Sequence, residues 1–357
     1  MIRTKTVILQ KQRKSSRSAY HKNCLRDILI IWHDMLTNQP PYSVEQQIAS
    51  LETRGMTLNK AHAEKTLRNI SYFRLKSYWW DMKDRATNKF LPNASFQLAF
   101  ERYQFDKALR IILFAAIETI EISLRTKLIN HFSAGTNGLW YLDTSLFRDL
   151  TLHQDHILAL KREFNRSKDP IVMQYIRDHR TNWYKNSLNG DNPDAWFIFE
   201  YASFGTLSKI YENIKPNHPL RSAIANEFGL YISSDFSSWL KAITELRNII
   251  AHHSRLWNRK LSSPPATPSR MPKPWLLTTI PPQIKSQPYC VITNTIYLCN
   301  VIQPKNQIKE RILKLIDDNP QIDITKYGFV GEWRKEPIWR ISLKRRFAHW
   351  LLKYVHI

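Results

Sequence analysis

Glycine is scarce in this chain, with 8 residues in 357. Neither GxxxxGK[ST] nor GxGxxG occurs, so the glycine turns that cradle a nucleotide's phosphates are missing. So little glycine also argues against a β-rich fold. Cysteine is rarer still: Cys24, Cys290 and Cys299 have no CxxC spacing. A sparse, odd count excludes a disulfide framework and a cysteine zinc site, and it points to a reducing compartment, so a cytoplasmic location is expected. No apolar run reaches the roughly 18 residues that a membrane-spanning helix needs. Arg3 and Lys5 precede a mixed polar stretch rather than an apolar core, so no secretory leader is expected. Acidic residues are also short, 30 against 53 Lys+Arg, which leaves a formal charge of +23.

That excess of positive charge favours nucleic acid or an anionic surface as partner. The basic residues are spread along the chain, which speaks against a membrane. With 43% hydrophobic and 12% aromatic residues the chain can bury a substantial core. Strand-like alternation is rare and no repeat is evident, so the expected class is all-α.

The organisation reads as five segments. Residues 1–40 form a basic arm with a short helix over 23–37. The arm is either a disordered tail or a surface that touches RNA. Residues 41–97 form an N-terminal helical subdomain. There Ser43 and Gln46 make a capping box, Gly55 ends the first helix, and a second starts near Asn59. This helical hairpin over 43–70 keeps open the alternative of a helix-turn-helix DNA-binding regulator. Residues 98–260 form the helical core, with one long helix over 98–132 and further helices over 151–165, 171–187, 196–214 and 218–228. The last core helix is capped by Ser237 or Ser238 and runs to about Trp257. Residues 261–288 carry eight prolines and read as a connector. Residues 289–357 are a C-terminal helical region: helices over 289–301 and 304–317, a Trp-bearing turn, and a basic amphipathic helix from Ser342.

The most informative stretch is Glu245-Leu246-Arg247-Asn248-Ile249-Ile250-Ala251-His252-His253-Ser254-Arg255-Leu256-Trp257-Asn258. Histidine exchanges a proton near neutral pH, and arginine's planar fork matches phosphate oxygens. Together these residue types suit cleavage of a phosphodiester without a metal. On a continuous helix Asn248 and His252 share a face, while Arg247 is turned about 100° away. Arg247 and His252 converge if the helix kinks near Ala251, or if two copies meet across a two-fold axis. His253 is the rival for proton transfer. Arg255 and Asn258 read as structural partners or phosphate contacts. Arg125 to His131 repeats an Arg-to-His spacing. There Glu118, Glu121 and Arg125 read as an ion-pair ladder against the motif helix, with a supporting role near the site as the alternative. Trp79, Trp80, Trp140 and Tyr141 are candidates for base stacking, against a core-packing reading. No cluster has metal-ligand spacing, and no cofactor is expected.

The block from Arg247 to Asn258 resembles the signature of the abortive-infection Abi family, of the AbiD/AbiF-like type. Other segments agree in order: Tyr42 to Gln47, Arg54-Gly55-Met56, Tyr72-Phe73-Arg74-Leu75 with Tyr78, Phe105-Asp106, Leu109-Arg110, Glu118, Glu121, Arg125, Trp196, Glu200, Ser203 to Ser208, Gly328-Phe329, Trp333 and Trp339. The similarity spans about residues 41–340. It implies placement in the HEPN superfamily, an all-α, HEPN-like helical bundle, here with an N-terminal helical hairpin and a C-terminal helical extension. It further implies a metal-independent endoribonuclease whose Arg247, Asn248 and His252 form the motif, acting as a homodimer in phage defence or as a toxin. RNA is then the substrate, and a small RNA or an antitoxin is the expected restraint. A non-catalytic RNA-binding protein in a ribonucleoprotein is the alternative.

Overall fold

The computed structural model describes residues 41–134, 137–179 and 191–340. The expected basic arm, the amphipathic helix from Ser342 and residues 180–187 of the expected helix over 171–187 lie outside them. The described residues hold thirteen α-helices and no strand, only isolated bridges, so the all-α class is as expected.

The N-terminal hairpin pairs α1 (Val44–Thr53) with α2 (Lys60–Asn69). Ser43 and Gln46 close the capping box reciprocally, at 3.2 and 2.8 Å. Gly55 takes φ +92° just past the helix end, where a side chain would be strained. A short helix α3 (Tyr72–Lys76), capped by Ser71, leads to the axis of the molecule, α4 (Phe96–Ser133).

α4 starts at a Ser95 cap and runs 38 residues, or roughly 57 Å, because nothing in it breaks a helix. Phe105, Leu109, Ile112, Leu113, Ala116, Ile120, Leu124 and Leu128 are buried along it. Around it follow α5 (Leu150–Arg166), α6 (Pro170–Asp178), α7 (Ala195–Ile198), α8 (Phe204–Asn213), α9 (Pro219–Glu227), α10 (Ser233–Ala251), α11 (Pro282–Lys285), α12 (Pro288–Ile302) and α13 (Ile308–Asp317). α8, α9, α10, α12 and α13 all pack on α4. α12 is buried on every side from Pro288 to Cys299, as expected of a helix that is apolar all round.

Three elements differ from the sequence reading. The helix expected over 196–214 is two helices. Between them the Arg125 guanidinium donates to the carbonyls of Phe199 and Ala202, both at 2.9 Å. The Glu163 carboxylate accepts from the backbone and hydroxyl of Ser203, which caps α8. The proline-rich segment is a strap fastened to α10 over its first part. Glu245 accepts from the backbone of Ser262 and Ser263 at 2.7 and 2.8 Å, and Ser238 from Ala266 at 2.8 Å. Ser237 and Ser238, the two residues expected to cap α10, both sit inside it, where Ser237 donates to the Ser233 carbonyl and Ser238 serves the strap. The third difference, the end of α10, shapes the site.

Burial pushes the thiols of Cys290 and Cys299 up to about 12. Both are expected to resist iodoacetamide in the native protein and to react once it is unfolded. Mass spectrometry showing native-state alkylation of either at mildly alkaline pH contradicts this packing of α12.

Candidate functional site

α10 stops at Ala251 rather than running to Trp257. His252 is its C-cap (φ −86°, ψ 11°), and His253 is left-handed at φ +54°. The backbone of His253 donates to Ile250 and that of Ser254 to Ile249, both at 2.9 Å. This is a Schellman ending, in which glycine usually occupies the position held here by His253. A β-carbon there costs about 1 kcal/mol. The turn sets His252 and His253 side by side at an exposed helix end, an arrangement that a continuous helix could not provide.

A buried carboxylate accounts for the turn. Asp106 of α4 has no exposed surface. Its oxygens accept from the backbone of Leu256 and Trp257 at 3.1 and 3.0 Å, and from the hydroxyls of Tyr78 and Tyr327 at 2.8 and 2.9 Å. Arg110, one turn on, is ion-paired to it and also donates to the Ser254 carbonyl at 3.2 Å. Burial, with the Asp106 charge second, holds both phenols well above the ordinary tyrosine range, so they stay protonated and donate. Arg102 lies 4.5 Å over the Trp257 ring and donates to the Tyr78 carbonyl at 2.8 Å. Arg102, Asp106 and Arg110 thus form one polar line on α4, spaced four apart, that fixes the chain after α10.

The result is an open cleft of about 310 Å³ between α3 and the end of α10. Ser71, Arg74, Ser77 and Tyr78 form one wall, and His252, His253, Ser254, Arg255 and Arg259 the other. Arg74 crosses it to donate to the His253 carbonyl at 2.6 Å. Arg255 donates to the carbonyl of Trp257 and, at 3.2 Å, to that of Asn258. Burial lowers the pKa of the Arg255 guanidinium. Asn258 is left-handed at φ +48°, and its backbone donates to Lys326 at 3.0 Å. No carboxylate lines the cleft among the described residues.

The candidate residues therefore fall into two groups. His252, His253 and Arg255 share the cleft. Arg247 is half-buried, does not line it, and lies within electrostatic reach of Glu121 on α4. Burial raises the pKa of Glu121, and the charges of Arg125 and Arg247 work against that rise. Arg125 pairs with Glu121 at 3.3 Å and clamps the turn before α8. His131 lies 2.7 Å from Glu227, so the second Arg-to-His spacing assembles no site of its own. Asn248 is exposed. Among the described residues the side chains of Asn248, His252 and His253 make no hydrogen bond. Among the described residues no group of His, Cys, Asp or Glu is gathered to hold a metal ion, and no helix is long and apolar enough to cross a membrane.

Arg74, Arg259 and Asp106 were not assigned a role from the sequence. Asp106 left a readable signal: an acid between Phe105 and Leu109 on the buried side of a long helix, with an arginine four residues on. Arg74 stood only within the Tyr72–Leu75 segment and Arg259 left no signal, because nothing local says that either lines a cleft with His253.

An all-helical protein with a cationic, histidine-bearing cleft is thus defined by fold and site. Residues 65–258, more than half of the chain, match the profile of the Abi-like protein family, and the chain belongs to that family. The matched span includes Arg74, the Asp106 line and the whole Arg247–Asn258 block. Membership suggests a role in abortive infection. Comparison with curated proteins and with solved structures gave no match.

Asp106→Asn leaves Arg110 buried without its counter-charge, and is expected to cost about 3–5 kcal/mol. An unchanged urea midpoint contradicts the hub. His253→Gly relieves the left-handed strain and is expected to raise stability by up to about 1 kcal/mol. A fall in melting temperature contradicts the Schellman ending.

Proposed function

We propose that the protein is a metal-independent endoribonuclease of the HEPN type, acting in abortive infection or as a toxin. The observation that carries this reading is the cleft: two histidines and three arginines facing one space, with no lining carboxylate. Arginines pair with the non-bridging oxygens of a phosphodiester, and histidines can take and give a proton beside it.

The reaction is attack of the ribose 2′-oxygen on phosphorus. His252 accepts the 2′-hydroxyl proton, the new P–O2′ bond forms, and the P–O5′ bond breaks. The departing 5′-oxygen takes a proton from His253, the second histidine of the cleft. The products are a 2′,3′-cyclic phosphate and a 5′-hydroxyl. Arg247 stabilises charge in the transition state, and Asn248 orients His252 or the phosphate. Since Arg247 sits outside the cleft of its own chain, the reading includes a homodimer in which two motifs share one site. Ile111, Phe114 and Ile122 are exposed along α4, the helix whose Glu121 Arg247 faces, and this apolar line supports a second copy there. An unrestrained ribonuclease harms its host, so an antitoxin or a bound small RNA belongs to the reading.

Helix-turn-helix DNA binding has less support. Arg68, the arginine of α2, is ion-paired to Glu64 at 2.7 Å and to Glu45 at 3.1 Å.

Purified protein in EDTA is expected to cut total or transfer RNA. Arg247→Ala and His252→Ala are expected to lose about a hundredfold or more of that activity while keeping the wild-type melting temperature. Full activity in either folded variant contradicts the proposal.

A further inference from the structure

We propose that Phe73, Lys76 and Trp80 form a stacking ledge for unpaired RNA bases at the mouth of the cleft. The proposal rests on the endoribonuclease reading and names the form of RNA that the site takes. α3 and the turn after it present two adjacent faces. Ser71, Arg74, Ser77 and Tyr78 line the cleft. Phe73 and Lys76 each precede a cleft-lining residue, about 100° round the helix axis, and Trp80, beyond the end of α3, shares the Lys76 ammonium with Phe73.

Burial separates these rings from their neighbours. Phe73 is 63% exposed and Trp80 37%, while Tyr78 and Trp79 are buried. Of the aromatic candidates read from the sequence, Trp79, Trp140 and Tyr141 are core residues, and Trp80 alone reaches solvent. The exposed rings are not a bare apolar patch. The Lys76 ammonium lies 5.7 Å from the centroid of Phe73 and 5.9 Å from that of Trp80, and Lys83 lies 6.0 Å from Trp80. Rings interleaved with cations, beside an arginine cleft, match a strand whose flat bases alternate with phosphates. A helix of another protein would instead require a continuous apolar face.

Stacking needs a base that has left its own stack, so the ledge selects single strands, loops or bulges over duplex. A strand lying on Phe73 and Trp80 places a neighbouring phosphate against Arg74, and so at His252 and His253. The ledge residues position the strand; they do not touch the reacting atoms.

The test uses the full chain carrying His252→Ala, so that bound RNA stays intact, and a single-stranded oligoribonucleotide containing 2-aminopurine. A duplex of the same sequence is the comparison. The single strand is expected to bind more tightly than the duplex, with quenching of the 2-aminopurine. Phe73→Ala and Trp80→Ala are each expected to weaken single-strand binding about tenfold and to remove the quenching. Duplex affinity and melting temperature stay the same, and Phe73→Tyr restores both readouts. Equal affinity for single strand and duplex overturns the ledge, as does quenching that survives both alanine variants. Cleavage by the His252-containing chain is measured alongside. Ring-dependent quenching without any cleavage leaves the ledge standing and defeats the endoribonuclease reading. Cleavage with no ring dependence in binding defeats the ledge alone.

Discussion

The site depends on one buried carboxylate. Asp106 has no access to water, yet every direction in which it can accept a hydrogen bond is used: two backbone amides, two phenols and a guanidinium. A charge so placed is costly to bury and more costly to leave half-satisfied. Its partners therefore cannot move independently. Leu256 and Trp257 are held after α10, Tyr78 after α3, and Tyr327 beyond the strap and α12. Four distant stretches of sequence meet at one oxygen pair. The polar line Arg102-Asp106-Arg110 makes α4 a template for the chain beyond α10 as well as a packing axis.

The ending of α10 follows from this constraint. Continuing the helix would carry Leu256 and Trp257 away from Asp106. Stopping it at Ala251 requires a left-handed residue, and the chain supplies His253 where glycine would be easier. Strain of this kind, with no packing reason to favour histidine, is characteristic of functional positions. The same contrast runs through the whole motif. Arg255 is engaged with the turn's carbonyls and Arg125 with those before α8, whereas the side chains of Asn248, His252 and His253 make no hydrogen bond among the described residues.

Much of this was legible in the sequence. α1, α2, α4, α5, α9 and α12 follow from spacing, from caps such as Ser43 and Asn59, and from unbroken apolar periodicity. What the sequence hid depends on distant contacts. The break before α8 needs Arg125 and Glu163 to arrive from other helices. The strap needs Glu245 and Ser238 to meet a segment whose prolines read locally as a linker. Read locally, the helix from Arg247 runs on through His253, because the Schellman ending carries a histidine in place of glycine. The candidate residues were visible as a set, but their division was not: Arg247 lies within electrostatic reach of Glu121 and outside the cleft, which is lined by Arg74, Arg255 and Arg259.

The cleavage proposed for this cleft requires the ribose 2′-hydroxyl as the attacking group. The most direct measurement compares two matched strands in EDTA, one all-ribose and one with a single 2′-deoxynucleotide at the mapped cleavage position, with the product ends identified by mass spectrometry. The ribose strand is expected to yield a 2′,3′-cyclic phosphate and a 5′-hydroxyl, and the substituted strand to stay intact at that position. Cleavage of the 2′-deoxy strand at the same bond would contradict that requirement.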